Sequence, residues 1–437
     1  MKDEGTGLQV YKFGGASVKD AAAILNLCRI VRNFGPSGPL LIVVSAMGKT
    51  TNALEEIYDL AYHGRDYSAQ LAAVRAYHEK AGKEIGKAQP HSGIDPNKPD
   101  AGLESLFQEL AYRLTNLSHS KSYDEGYDQV VSFGEALSSE LVYGALAGSL
   151  THKVYHRSTQ IVTDNTWREG KVNWEETVKK IREEIQGLFF PNGDAHVVIT
   201  EGFTGQVQND HRTTTLGREG SDYSAAIFAY CLNAESVTIW KDVPGLLNAD
   251  PKIFPDTVLY PEISYQETIE MAFYGASVIH PKTLKPLADR HIPLRVRSFL
   301  DPAAPGTLIH DCQHPPLVPA FIRKTGQCLL SFESKDFAFI SEENLEVIFG
   351  ALAQARLKIN LMQNSAISFS VCTDFNEMRV QRLLGLLQGQ FRVQYNSDLT
   401  LFTIKHYDAA SIERLTAGRE LLLEQRTRST FQFLVRE

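Results

Sequence analysis

In the stretch VYKFGGASVKD a lysine, Lys12, interrupts an apolar run and the pair Gly14 and Gly15 follows at once. Val10, Tyr11 and Phe13 favour a strand, while Ser17 and Asp20 form an S-x-x-D capping box ahead of Ile24, Leu27, Cys28 and Val31 at helical spacing. A glycine pair between strand and helix lets backbone approach a ligand closely. The helix start beyond it offers unpaired N–H groups and a positive dipole end, which is anion-binding chemistry. Taken alone, the segment reads equally as a tight turn with a solvated lysine. Three further stretches bear on the choice. In SFGEALSSELV, Glu135 falls in a first helical turn, where the dipole favours its ionised form, and a carboxylate there can grip an ammonium group. In TTTLGREGSDYSAA, Arg218 can clamp a carboxylate with two hydrogen bonds, and Ser221 and Asp222 occupy helix-capping positions. In WKDVPGLLNADPK, Lys241, Asp242, Leu247 and Lys252 share one loop region.

These stretches need a frame that brings them together. Continuous apolar runs (LLIVVSA at 40–46, AHVVIT at 195–200, SVTIW at 236–240) alternate with helical patterns up to about residue 310. Strands of that kind imply a mainly parallel sheet between helical layers, whose ligands bind at the carboxyl ends of the strands. WKDVPGLLNADPK follows SVTIW directly and so lies on that edge. Proline content rises near residue 312, where the pattern changes to β-α-β-β-α-β, the ferredoxin-like order. A shorter second copy follows. The expected division is 1–311 for the first domain and 312–437 for the second region. The latter comprises a linker at 312–327 with AFIRKT as a borrowed strand, a first repeat at 328–396 and a second at 397–437.

Composition narrows the function. The 437 residues are 43% hydrophobic and 22% charged with a formal net charge of −8, a globular balance without a basic block, which argues against a nucleic-acid surface. No apolar run reaches the ~20 residues of a membrane span, and MKDEGTGLQV does not show the charged-then-apolar order of a signal peptide, so a cytoplasmic protein is expected. The five cysteines are scattered without a C-x-x-C pair, so neither a resident metal site nor a disulfide framework is expected. The P-loop, G-x-G-x-x-G at a strand–helix junction and the protein-kinase signatures are missing.

Taken together, KFGGASV, SFGE, TLGREGSDYSA and KDVPGLLNADPK, in that order, resemble the motifs of the aspartate kinases, members of the amino-acid kinase family. The C-terminal part is similar to the tandem ACT domains with which these enzymes sense an end-product amino acid. The resemblance implies transfer of the ATP γ-phosphoryl group to L-aspartate, with Mg²⁺ carried on the ATP phosphates, as the first step toward lysine, threonine and methionine. It implies that Lys12, Gly14 and Gly15 hold the transferring group and that Asp222 orients Lys12. Ser45 and Thr51 would lie near the phosphoryl group and substrate, Glu135 would take the substrate ammonium, Arg218 its α-carboxylate, and Ser221 would join the substrate site. Nucleotide contacts would fall on Lys241, Asp242, Leu247, Lys252 and the position of Ser277.

Three residues depart from the family pattern. Glu219 replaces the middle glycine of G-R-G-G-S-D, Ser277 stands where YGASVIHPKT would carry a phosphate-binding lysine, with Lys282 and Lys252 as the neighbouring cations, and Leu247 replaces an aromatic beside the adenine. In the ACT region, INLMQNSAIS aligns with the effector strand and turn, making Ile359, Asn360, Asn364 and Ser365 the effector contacts. Lysine-sensing relatives often carry acids at the positions of Asn360 and Ala366, so a lysine ammonium would lose a charge-assisted hydrogen bond worth roughly 1.5–3 kcal/mol. Lysine, threonine and no effector all stay open. A homodimer or dimer of dimers is the expected assembly. Two other functions share these motifs: a kinase of a related acidic amino acid, and an amino-acid-binding regulator whose kinase site has decayed.

Overall fold

The runs QVYKF and LLIVV are apolar on both faces, so they are stable only in the middle of a sheet covered on each side. The computed structural model describes residues 7–436 other than 91–93, 99, 118–121, 151–152, 159, 190–194, 211, 277–278, 314–316 and 336–337. It places Gln9–Phe13 and Leu40–Val44 side by side in an eight-stranded sheet. The spatial order is Lys153–Arg157, Ala195–Glu201, Leu40–Val44, Gln9–Phe13, Ser236–Lys241, Leu294–Ser298, Thr307–His310, Glu262–Ser264. All neighbours run parallel except Leu294–Ser298 against Thr307–His310. The expected fold class, a mainly parallel sheet between helices followed by an antiparallel α+β region, is the one observed.

Register sets up the site. Phe13 lies opposite both Val44 and Trp240, and Val44 opposite Glu201, so four adjacent strands end at one level. The residues that follow, Gly14, Ser45, Lys241 and Gly202, therefore emerge on one edge. Within Gln9–Phe13 the side chains alternate: Tyr11 and Phe13 join a core that includes Ile42, Val44, Leu54 and Leu137, and Lys12 points to the opposite face.

One local expectation needs correction. Ser17 does not cap the helix; Gly15–Val18 forms a single 3₁₀ turn, and Asp20 is the cap of Ala21–Phe34, accepting from the Ala23 N–H at 2.8 Å. The Ser17 hydroxyl instead donates to the Trp240 carbonyl at 3.3 Å, tying the turn to the neighbouring strand.

The chain divides into two compact units that interleave in sequence. The first comprises Met1–Leu246, Leu259–Ile269 and Val278–Gln313, and the second Leu247–Val258, Glu270–Ser277 and His314–Glu437. The second unit is built on one antiparallel six-stranded sheet, ordered Ile359–Asn364, Ser368–Asp374, Ala320–Ser334, Phe391–Lys405, Thr430–Arg436, Leu421–Arg426. Its two central strands are 15 residues each and pair with each other nearly end to end. Ala320–Lys324 pairs with Leu401–Lys405, and Leu329–Ser334 with Phe391–Asn396. The junction expected at 396/397 thus falls inside a continuous strand, because its partner strand is itself unbroken there. Helices Glu342–Gln354 and Glu377–Leu387 cover one half of the sheet over Leu330, Phe332 and Val371; Ala409–Thr416 covers the other over Phe402, Ile404 and Phe433. All five cysteines are free thiols.

Candidate active site

Lys12 is 6% exposed, which an unpaired ammonium could not sustain. Its Nζ lies 2.5 Å from Oδ1 of Asp222, in the first turn of helix Gly220–Leu232, and the other carboxylate oxygen lies 3.1 Å from Lys241 Nζ at the end of the next strand. Burial pushes the Asp222 carboxyl up, but the two ammonium groups outweigh it and hold the group below the usual carboxylate range. Two cations on one carboxylate leave this three-residue array with a net positive charge.

Gly15 supplies the close approach. A Cβ there would sit 2.9 Å from the Ala46 carbonyl oxygen and 3.1 Å from that of Gly48, while the Gly48 N–H donates to the Gly15 carbonyl at 3.1 Å. The loops after the first two strands are thereby packed backbone to backbone. Gly202 plays a similar part behind Ser221, whose Cβ would be 2.5 Å from any Cβ at 202. This closeness sets Ser221 Oγ 2.7 Å from Ser45 Oγ.

Across from the lysines lies Glu135, 4% exposed, in the first turn of helix Phe133–Ser149. Its Oε1 accepts from the Ala46 N–H at 3.1 Å, and Oε2 has no hydrogen-bond partner among the described residues. The helix position alone favours the carboxylate. Burial wins, aided by repulsion from Glu201, and the pKa is pushed up to about 8 despite the Ala46 hydrogen bond and the Lys12 charge. A free buried oxygen on an acid so poised is the receptor expected for an incoming cation.

These groups surround a cleft of about 500 Å³ whose walls include Gly15, Ser45, Thr51, Glu135, Arg218 and Ser221. Arg218 is exposed. Glu219, where relatives carry glycine, adopts the left-handed conformation at φ 54° and is half-buried, with burial raising its carboxyl pKa against the pull of Lys241. The loop thus keeps a conformation suited to glycine although the residue is not glycine.

The cleft also contains residues with no motif to announce them. Arg168, at φ 67°, lies with its guanidinium carbon 3.9 Å from the Tyr127 ring centroid and pairs with Asp124 at 2.6 Å. Its backbone N–H donates to buried Asp128 at 2.9 Å, and the same carboxylate accepts from the Thr215 backbone N–H and hydroxyl at 3.1 and 2.8 Å. Asp128 thereby ties the 164–170 loop to the TTT strand; burial pushes its pKa up to about 6 against those hydrogen bonds. Phe203 and Glu169 complete that wall.

The remaining sequence-selected residues lie elsewhere. Asp242 is exposed just beyond Ser236–Lys241. Leu247 and Lys252 belong to the segment Leu247–Val258 of the second unit, where the Lys252 N–H donates to Asp250 Oδ1 at 2.9 Å. Ser277 lies outside the described residues. In the second unit, Ile359 and Asn360 open the edge strand. Asn360 accepts from Lys324 Nζ at 2.9 Å and donates to Gln327 at 2.8 Å and to Asp374 at 3.1 Å, so its side chain is engaged within the sheet. Asn364 and Ser365 are exposed, with Ser365 Oγ 3.2 Å from Ser368 Oγ.

A parallel sheet with its polar cleft at the strand ends, a buried lysine–carboxylate–lysine array and a facing acid defines a class. A profile of the amino acid kinase family matches residues 7–298, and the chain belongs to that family. Within it, the relatives are aspartokinases. Lysine-sensitive aspartokinase 3 of Escherichia coli (strain K12) is 31% identical over 403 residues, covering 90% of this chain and 86% of that protein. Bifunctional aspartokinase/homoserine dehydrogenase 1, chloroplastic, of Zea mays is 29% identical, and the chain spans 41% of its length. The crystal structure of E. coli aspartokinase III in complex with aspartate and ADP (R-state) matches with a TM-score of 0.80 at 27% identity, covering 98% of this chain and 96% of that one. The same enzyme with lysine and aspartate (T-state) matches with a TM-score of 0.78, at the same identity and coverage.

Proposed function

We propose that the protein transfers the γ-phosphoryl group of ATP to the side-chain carboxylate of L-aspartate, giving 4-phospho-L-aspartate and ADP. The observation that carries this reading is the opposition, across one cleft, of the Lys12–Asp222–Lys241 array and the unpartnered Glu135 oxygen. An aspartate side chain has a pKa near 4 and is already an anion at pH 7, so no general base is needed. One carboxylate oxygen forms a bond to the γ-phosphorus as the bond to the β–γ bridging oxygen breaks, and the electron pair leaves with ADP. The obstacle is bringing two anions together.

The residues fit that task. Lys12, held by Asp222, faces the equatorial phosphoryl oxygens, and the side-chain-free surface at Gly14 and Gly15 admits the phosphates. Glu135 takes the substrate ammonium, Arg218 the α-carboxylate, and Ser45, Thr51 and Ser221 orient the reacting carboxylate. Both oxygens of Asp222 already face lysines, which supports delivery of Mg²⁺ with the nucleotide, where it neutralises phosphate charge. Lys241 and Asp242 take the nucleotide side.

The second unit serves as the amino-acid sensor, through the strand and turn carrying Ile359, Asn360, Asn364 and Ser365, and assembly is through this unit into a homodimer or a dimer of dimers. Asn360 offers a neutral amide where lysine-sensing relatives carry an acid, so threonine and lysine are the effectors to compare. The test is ATP, Mg²⁺ and L-aspartate with hydroxylamine, which traps an acyl phosphate as a coloured hydroxamate. Colour with aspartate and not with glutamate is expected. No colour, with ATP or aspartate binding retained in calorimetry, makes the protein an amino-acid-binding regulator instead.

A further inference from the structure

Beside the cleft, in the same unit, lies a separate cavity of about 250 Å³ lined by Arg113, Gln129, Phe133, Gln160, Lys180 and Glu201. No residue is shared between the two linings, yet both use the same elements. Phe133 and Ala136 face the cavity from the helix turn that sends Glu135 to the cleft. Thr204 lines the cavity next to Phe203 of the cleft, and Thr213 lines it near Thr215.

Two opposite charges face this space and form no close ion pair with each other among the described residues. Glu201, half-buried at the end of its strand, accepts no hydrogen bond among the described residues, and burial pushes its pKa up to about 7 against the more distant pull of His156. Lys180 Nζ donates to the neutral Gln206 amide oxygen at 2.9 Å. A third group is unsatisfied: Gln160, 6% exposed, donates through Nε2 to the Ser158 carbonyl at 3.2 Å, while its Oε1 has no partner among the described residues. Arg113, by contrast, is paired with Glu109 at 3.0 Å.

Glu201 and Gln160 present acceptors that call for a cationic donor, and Lys180 calls for an anion. A space this small excludes a nucleotide and admits a molecule with both charges close together. We propose that the cavity is a second binding site for a free α-amino acid, its ammonium on Glu201 and Gln160 and its carboxylate toward Lys180. Orphaned buried polar atoms such as Gln160 Oε1 are rare in folded proteins, and a zwitterion would satisfy it while pairing with both Glu201 and Lys180. The site adjoins the cleft through the Phe133–Ala136 turn, and its occupancy is readable without turnover, so it stands or falls apart from the phosphoryl-transfer reading.

The test is thermal-shift titration of the full chain with each of the twenty standard L-amino acids, in the wild type and in the Glu201→Gln and Lys180→Met variants. Arg218→Ala and Asn360→Ala serve as controls for the cleft and the second unit. At least one amino acid is expected to show a titration midpoint raised tenfold or more in both E201Q and K180M and changed less than twofold in the controls. K180M is expected to retain hydroxamate formation, and it carries the test if E201Q does not fold. If every amino acid titrates alike in the wild type and the two variants, or if none binds, the proposal is overturned.

Discussion

Asp222 holds two lysines at once, and this division of labour separates the expected effects of single substitutions. Lys12→Ala removes the cation facing the transferring group but leaves Asp222 paired with Lys241. Turnover should fall about 10²–10³-fold with the KM for aspartate little changed, as for loss of one transition-state donor. Arg218→Ala and Glu135→Ala should chiefly raise that KM, and equal effects from all three in steady-state kinetics would refute the assigned roles. Glu135 adds a pH signature. With a pKa of about 8 it is ~0.9 protonated at pH 7 and ~0.1 at pH 9. An ammonium bound to it requires the anion, so calorimetry in buffers of different ionisation enthalpy should show aspartate binding releasing protons at pH 7 and fewer at pH 9; a flat profile refutes the pairing. The same raised pKa means that the unliganded fold is favoured by this group below the unfolded value near 4.3 and loses that contribution as pH rises through 8. Glu135→Gln should therefore gain stability relative to the wild type between pH 5.5 and pH 8 in urea melts.

Among the elements, the loops matter more than the strands they follow. At Gly15 the backbones of two loops touch, so Gly15→Ala should cost about 1–3 kcal/mol, the usual range for overpacking, and should depress turnover with it. Glu219 presents the reverse case. Relieving its left-handed strain is worth about 1–2 kcal/mol against about 0.5–1 kcal/mol of chain entropy for a glycine, so Glu219→Gly should stabilise by about 0.5–1 kcal/mol in denaturant titration. What was legible follows the same line. Lys12, Ser45 and Lys241 could be read because each sits at or just past a strand whose apolar run announces a parallel sheet, and such sheets bind at one edge; Ser221 and Asp222 could be read because a glycine-flanked loop leads into a helix at that point. The Asp128 tie, Arg168 and the Glu201–Lys180 cavity could not, since they arise where segments distant in sequence converge and no local spacing encodes that meeting. The Ser17–Asp20 box misled because two caps competed, and the bond from Ser17 to the Trp240 carbonyl depends on a strand more than two hundred residues away.

For the whole molecule, the surface of the second unit is informative. Of the large apolar side chains exposed among the described residues, more than half lie between 339 and 395, with Phe339 at 76% and Met378 at 81% exposure. Such a concentration is a signature of surfaces that meet a partner. Light scattering coupled to size-exclusion chromatography should give the mass of two or four chains at micromolar concentration, and a monomer there would refute the assembly.

The paired 15-residue strands at the centre of that unit carry one more consequence. They make the two repeats inseparable as cassettes. A chimera that exchanges a single repeat with a relative, cut at the boundary suggested by internal similarity, would sever a strand in mid-ladder and leave an unpaired edge on both donor and host. Transplanting a sensory specificity therefore has to move Ala320–Ser334 and Phe391–Lys405 together, as one graft.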